Sequence, residues 1–398
     1  MCVCKSKSIA RRVERTRGKT SKSKNPIKLV TNSLEPSQTR VVDMPSDAST
    51  GAVAPAYETN DAVDMYLRLH YPSESTERGE RFGYLADDGR KIRDGFDAPR
   101  VGPAYAETRF PSLVADVLRR AYAVRDVLRR KGSRGGGGDD EVEDEDDADI
   151  QKRLREVSVH VDASARALDI GCAVGGSAFR LAETFVEVIG IDASEMFVDV
   201  AKKMQTDGEL KYMLRAFGDL GRQHVARASP SEGADAFEAV AARCEFRVGD
   251  ACALGEQVES LGGRFDAVLV SNLLCRVAKP RKVLDALAEL VKEDGLVLIV
   301  SPFSWSEEYT PREEWIGGTE TQGNSPLALK SEMDKRGFVE VCMKAVIADA
   351  MVEPAKGLLY HTAGGETYHV LPCTIQEHER KFQCILSVAQ CFKKTREA

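Results

Sequence analysis

The residues with the clearest chemical potential are Asp169, Gly171, Cys172, Ala173, Gly175 and Gly176 in the stretch ALDIGCAVGGSAFRLA. An apolar run leads into the acid, glycines follow within a few residues, and a segment of helical spacing comes next. Glycines at such a turn let a ligand approach backbone amides without side chains in the way. The helix behind them adds N–H donors and a dipole that favours a carboxylate or phosphate. A dinucleotide site would want G-x-G-x-x-G. The run from Gly171 to Gly176 does not have that spacing.

Further polar residues recur at the ends of apolar runs. Asp192, followed by Ala193 and Ser194, closes VEVIGID, where a carboxylate can take two ribose hydroxyls. Asp250 and Ala251 close CEFRVGD, and Ser271 and Asn272 close FDAVLVSN. A single acid at a strand end is equally well a solvated loop residue or a helix cap. Their recurrence behind the glycine turn is what marks a site.

The elements that must position these residues follow from the periodicity. RALDI, VEVIGID, CEFRVGD, FDAVLVSN and GLVLIVS are near-continuous Val/Ile/Leu runs separated by helical segments. That pattern means a parallel sheet covered on both faces. GFVEVCMKA and QCILSVAQCF add two strands, so the expected fold is a doubly wound α/β domain with a mostly parallel, seven-stranded sheet. His361 and His369 are read as flanking a glycine-containing loop before the last strand.

Composition bounds the rest. A net charge of −7 argues against nucleic acid as the main partner. No apolar run approaches a membrane span. Ten cysteines without a dense framework read as reduced thiols, which suits the cytoplasm, and no metal-ligand set is completed. Residues 1–50 are basic and serine-rich; we read them as a disordered tail, with an organelle-targeting segment as the alternative. Residues 57–131 form a helical extension, residues 132–149 (GSRGGGGDDEVEDEDDAD) a flexible linker, and residues 150–398 the main domain.

The string LDIGCAVG resembles the first motif of class I S-adenosylmethionine-dependent methyltransferases, which have a Rossmann-like fold, with Ala173 in place of the middle glycine. YETNDAVDMYLRLHY, FRVGDACAL, VLVSNLLCRVAKPRKVL, SPFSWSEEYTPREEWIGG and IQEHERKFQ, in that order, narrow the likeness. They resemble the 4-mercaptohistidine N1-methyltransferase module of ovothiol biosynthesis, commonly fused behind an iron-dependent sulfoxide synthase. The resemblance covers about Tyr57 to Lys394. It implies S-adenosylmethionine held by Asp169, Gly171, Cys172, Ala173, Gly175, Asp192, Ala193, Ser194, Asp250, Ala251 and Asn272, and a thiohistidine methylated on its ring.

With only six histidines and no H-x3-H-x-E set, the synthase half is absent. That leaves open association with a separate synthase, and a non-catalytic partner role. Another small molecule or a peptide histidine is the alternative acceptor. Gln376 stands where the family usually has a basic residue, and residues 208–243 are enlarged. Acceptor-side candidates are Arg276, pairing with an anionic group, Tyr309, Trp305 and Trp315, walling a ring slot, and His369 or His361 as a base. For each the competing reading is ordinary: a surface arginine beside a helix start, core and lid packing, a loop histidine. Glu308 and Glu314 read as solvent-facing charge, and Cys172 as a small packing residue.

Overall fold

The computed structural model describes residues 57–71, 110–128, 152, 154, 162–228, 234–350, 358–361, 365–379 and 381–396, all within one compact unit. The basic tail and the glycine/acid linker lie outside these residues.

Two helices of the extension come first, α1 (Asn60–His70) and α2 (Phe110–Ala123). The Oγ1 of Thr59 caps α1 by accepting from the amide of Ala62 at 3.1 Å. Next come β1 (Asp162–Ile170), α3 (Gly176–Leu181), β2 (Phe185–Asp192) and α4 (Glu195–Asp207). Helix α4 starts on Ser194, whose Oγ accepts from the amide of Phe197 at 3.1 Å, and stops at left-handed Gly208.

The enlarged region holds a hairpin, β3 (Glu209–Phe217) and β4 (Leu220–Arg227), and then α5 (Ala234–Ala241). Strand β5 (Cys244–Val248), a 3-10 turn over Ala251–Gln257, β6 (Phe265–Ser271), a 3-10 turn over Leu274–Arg276, α6 (Pro280–Leu290) and β7 (Val291–Ser301) complete the wound part. The remainder is α7 (Ser325–Asp334), β8 (Phe338–Val341), α8 (Lys344–Ala350), β9 (Leu359–His361), β10 (Thr367–His378) and β11 (Lys381–Lys394).

The sheet order is β5-β2-β1-β6-β7-β11-β10-β9, with β8 pairing on β11. Strands β5, β2, β1, β6 and β7 are parallel. The C-terminal strands run antiparallel to their neighbours. From β1 the chain winds outward to β2 and β5, then returns to β6 on the other side. The switch point therefore lies between β1 and β6, where doubly wound sheets bind their ligands. Ala167, Leu269 and Val300 face one core shared with α1 to α5, while Leu168, Val270 and Ile299 face another under α6 and α7.

The expected class of fold is present, and the sheet is wider than expected, with nine strands among the described residues. Two assignments change. GFVEVCMKA is a strand only over Phe338–Val341, then turns into α8. The segment read as a loop around His361 and His369 is β9 and the start of β10. Pro372 hides β10 in the sequence, because proline inside an apolar run argues against a strand. Here it lies opposite Leu386 in the antiparallel ladder with β11, close to the sheet edge.

Registers show where β10 and β11 go. Val388 lies opposite both Ser301, the last residue of β7, and Val370. Residues 371–378 and 381–387 therefore project beyond the carboxyl end of the parallel strands. The projecting hairpin meets the β3–β4 hairpin and α1. The amide of Glu379 donates to the carbonyl of Arg215 at 2.8 Å, and Arg222 pairs with Glu379 at 3.1 Å. The Nε of Arg68 donates to Oε1 of Gln376 at 3.0 Å. These three elements roof the switch point.

Candidate active site

The glycine turn is built from backbone conformations that side chains rarely adopt. Gly171 (φ 82°), Ala173 (φ 45°) and Gly175 (φ 89°) are left-handed. At Gly175 a Cβ would also come within 2.8 Å of the Phe246 ring, so glycine is required twice over. The amides of Gly171 and Cys172 both donate to the carbonyl of Ile191, at 2.7 and 3.1 Å, tying the turn to the end of β2.

Asp192 sits where β2 ends. Its Oδ2 accepts from the amide of Ala173 and its Oδ1 from the amide of Ser194, each at 2.9 Å. Protein packed around it raises its pKa above the usual carboxylate range, against those two amides. Asp169 is buried at 1% exposure and accepts from the hydroxyl of Ser177 at 2.7 Å. Burial pushes its carboxyl up to about 7; the Ser177 bond opposes this and the charge of Asp192 adds to it.

The Asp169 shift makes a prediction. Protons bind Asp169 more tightly in the folded than in the unfolded chain, whose carboxyl titrates near 3.9. Its stabilising contribution is thus full below about pH 4 and is lost as pH rises through about 7. Asp169→Asn, which keeps an acceptor for Ser177, removes this dependence. The ligand-free variant should be more stable than wild type at pH 8, by up to about 4 kcal/mol at roughly 1.4 kcal/mol per pKa unit, and should lose that advantage near pH 4. Denaturant midpoints measured across pH decide it; parallel curves for the two proteins would refute it.

At the end of β5, Asp250 uses Oδ1 to cap the following turn through the amide of Cys252 at 2.9 Å. Ala251 behind it is buried. At the end of β6, Asn272 is left-handed (φ 52°), and its Oδ1 accepts from the hydroxyl of Ser387 on β11 at 2.7 Å. Ser271 beside it has a buried hydroxyl with no hydrogen-bond partner.

Among the residues expected to hold the cofactor, Cys172 is buried, with its thiol directed to the carbonyl of Ala173 at 3.7 Å. Ala193 lies between Asp192 and the α4 cap. These residues fit S-adenosylmethionine. Carboxylates stand at the tips of β2 and β5, left-handed Gly171 and Asn272 stand at the tips of β1 and β6, and the Ser271 hydroxyl has an unmet hydrogen-bonding capacity.

The acceptor-side residues are brought together only in part. The guanidinium of Arg276 lies 4.9 Å from the centroid of the Tyr309 ring. Its Nη1 donates to the carbonyls of Cys275 (2.9 Å) and Ser304 (3.0 Å), and its Nη2 to the hydroxyl of Ser304 at 3.2 Å. Trp315 and Trp305 stack on each other at 6.3 Å, and their indole N–H groups donate to the carbonyl of Thr310 and the hydroxyl of Ser325. They fasten the loop that carries Tyr309 rather than join Arg276.

His369 lies on β10, three strands across the sheet from β6, and His361 is exposed at the edge, 3.0 Å from Thr367 Oγ1. Glu308 is exposed, and Glu314 approaches Arg281 at 3.8 Å. Among the described residues no group of His, Cys, Asp and Glu is placed to hold a metal ion, and no helix is long and apolar enough to cross a membrane.

Sequence reasoning missed the contribution of α1. Tyr57, just before it, lies with its ring tilted and 6.4 Å from that of Tyr309, and the nearby Arg276 cation works against burial at its hydroxyl. Tyr66 on α1 packs 6.3 Å from Tyr57 and 4.7 Å from Phe197. Burial raises the pKa of both phenols. At the other end of α1, His70 and Tyr71 touch the glycine turn. The spacing of aromatic residues in YETNDAVDMYLRLHY was the visible signal, but it reads equally well as the apolar face of an amphipathic helix.

The family described as "Methyltransferase domain" matches residues 143–342. No curated protein matches the chain. Similar solved structures include the YcgJ protein from Bacillus subtilis, at 14% identity and TM-score 0.32, covering 60% of this chain and 95% of that one. A SAM-dependent methyltransferase from Methanosarcina mazei is similar at 15% identity and TM-score 0.32, covering 60% and 96%. A structure reported for conversion of a disulfide bond into a thioacetal group during echinomycin biosynthesis has 15% identity and TM-score 0.33, covering 59% and 78%. The glycine turn, the carboxylates at strand ends and the matched half of the sequence agree: the chain belongs to the methyltransferase domain family, with S-adenosylmethionine as its cofactor.

Proposed function

We propose that the protein methylates a ring nitrogen of a thiohistidine, acting as an N-methyltransferase of the ovothiol type. The observation that carries this reading is the Arg276 guanidinium held over Tyr309 and against Tyr57 at the end of β6. Together with the ordered motifs shared with that family, it supports an acceptor that is both aromatic and anionic.

Bound at the switch point, S-adenosylmethionine supplies an electrophilic methyl group on a cationic sulfonium. Asp192 holds the ribose and keeps Ala173 and Ser194 in place. Asp250 and Ala251 face the adenine edge. Much of the acceleration comes from alignment of the ring nitrogen with the methyl carbon.

The chemical difficulty is selectivity, because the thiolate of the acceptor is a better nucleophile than its ring nitrogen. A guanidinium makes short, charge-assisted bonds to such an anion. Arg276 binds the sulfur side and turns it away from the methyl, and the rings of Tyr57 and Tyr309 flank the imidazole. The roof formed by α1 and the two hairpins excludes water.

Purified protein incubated with methyl-labelled S-adenosylmethionine and thiohistidine, histidine or a histidine peptide tests this reading. The expected product carries one methyl on a ring nitrogen of thiohistidine, located by fragmentation in a mass spectrometer. Methylation of histidine or the peptide, with thiohistidine untouched, would replace the proposal with another acceptor.

A further inference from the structure

The glycine turn is completed from outside by two consecutive side chains at the end of α1. Helix α3 begins at Gly176 behind left-handed Gly175, which offers no side chain to cap it. The first amide of a helix needs a partner when it is buried. Here the acceptor is Nδ1 of His70, 3.0 Å from the amide nitrogen of Gly176 and 106 residues away in sequence. The imidazole acts as an N-cap supplied by another helix. The contact is also steric: a Cβ on Gly176 would lie 2.7 Å from Nδ1 of His70. One residue on, the buried hydroxyl of Tyr71 donates to the carbonyl of Val174 at 2.8 Å.

His70 is buried, and burial depresses its pKa to about 3, so the ring is neutral throughout the working range of pH. Since Nδ1 accepts, the ring proton resides on Nε2. A neutral acceptor is what an amide N–H requires; an imidazolium could not serve.

We infer that His70 and Tyr71 are positioning residues for the cofactor: through Gly176 and Val174 they hold the glycine turn in its binding conformation. The extension that carries α1 is then part of the cofactor site, and the first amide of α3 is occupied by the protein rather than offered to a ligand. This inference rests on the methyltransferase assignment and not on the identity of the acceptor, so S-adenosylmethionine itself is the probe.

The test compares His70→Ala, His70→Asn and Tyr71→Phe in the full-length chain. Asparagine places an acceptor oxygen near the position of Nδ1. Each of His70→Ala and Tyr71→Phe should weaken S-adenosylmethionine binding about tenfold, as expected for a buried backbone group left without its partner. His70→Asn should bind within about threefold of wild type. Calorimetry gives the affinities. Amide hydrogen exchange should quicken at residues 173–176 in the two weakened variants while β1 and β2 stay protected.

An unchanged Kd in folded His70→Ala overturns the inference. So does a His70→Asn protein that binds no better than the alanine variant, since ring packing alone would then explain the loss. Should His70→Ala fail to fold, Tyr71→Phe decides, and its wild-type affinity would equally overturn the idea.

Discussion

Asp192→Ala is expected to weaken S-adenosylmethionine binding about a hundredfold while leaving the sheet intact. Three sets of donors lose their acceptor at once. The amides of Ala173 and Ser194, each 2.9 Å from the carboxylate, are left without it, and so, on the proposed placement of the cofactor, are its ribose hydroxyls. A buried donor left unpaired costs about 1–3 kcal/mol, and 1.4 kcal/mol is a factor of ten in affinity. The first two losses also loosen the turn, because Ala173 is a non-glycine residue held at φ 45°.

Asp192→Asn retains one acceptor oxygen but presents an NH2 to a backbone N–H, so its loss should fall between, at about tenfold. Calorimetry with S-adenosylmethionine, beside a thermal melt of each variant, separates binding from folding. A folded Asp192→Ala protein with wild-type affinity would remove the carboxylate from the cofactor site.

The strand ends that form the candidate cofactor site were legible in the sequence because they are local. Strands buried on both faces advertise themselves as continuous apolar runs, and β1, β2, β5, β6 and β7 were all visible in this way. Turn residues then follow their strands by one or two positions, so Gly171, Asp192, Asp250 and Asn272 could be placed from register alone. The β3–β4 hairpin also left a trace, a period-two alternation through ELKYMLRAF followed by Gly218-Asp219, the residue types of a tight turn.

What could not be read is what depends on distant packing. Nothing near Gly176 announces that its amide is capped by His70, and nothing near Gln376 announces Arg68 as its donor. Gln376 stands where a basic residue was expected, and a cation reaches that place from α1. Strand β10 was obscured by Pro372, which the sheet tolerates near its edge. The aromatic candidates divided for a similar reason: Tyr309 reaches Arg276, whereas Trp305 and Trp315 spend their ring faces on each other.

Arg276→Ala should separate acceptor chemistry from cofactor binding. A charge-assisted bond to arginine contributes about 1.5–3 kcal/mol, so acceptor kcat/KM should fall roughly ten- to a hundredfold on thiohistidine. S-adenosylmethionine affinity should change little, because no contact joins Arg276 to Asp192, Asp250 or the glycine turn; its hydrogen bonds run to Cys275 and Ser304, and its cation lies over the Tyr309 ring.

Arg276→Lys keeps the charge but not the planar fork, and should recover only part of the activity. The product distribution is the sharper readout. With the guanidinium gone, the acceptor sulfur is free to turn toward the methyl, and some S-methyl product should appear beside the N-methyl one. Tyr309→Phe, which keeps the ring under the guanidinium, should leave the product pure. Equal acceptor kinetics and pure N-methyl product in wild type and Arg276→Ala would take Arg276 out of the acceptor site. A variant defective only in cofactor affinity would place the guanidinium on the other substrate.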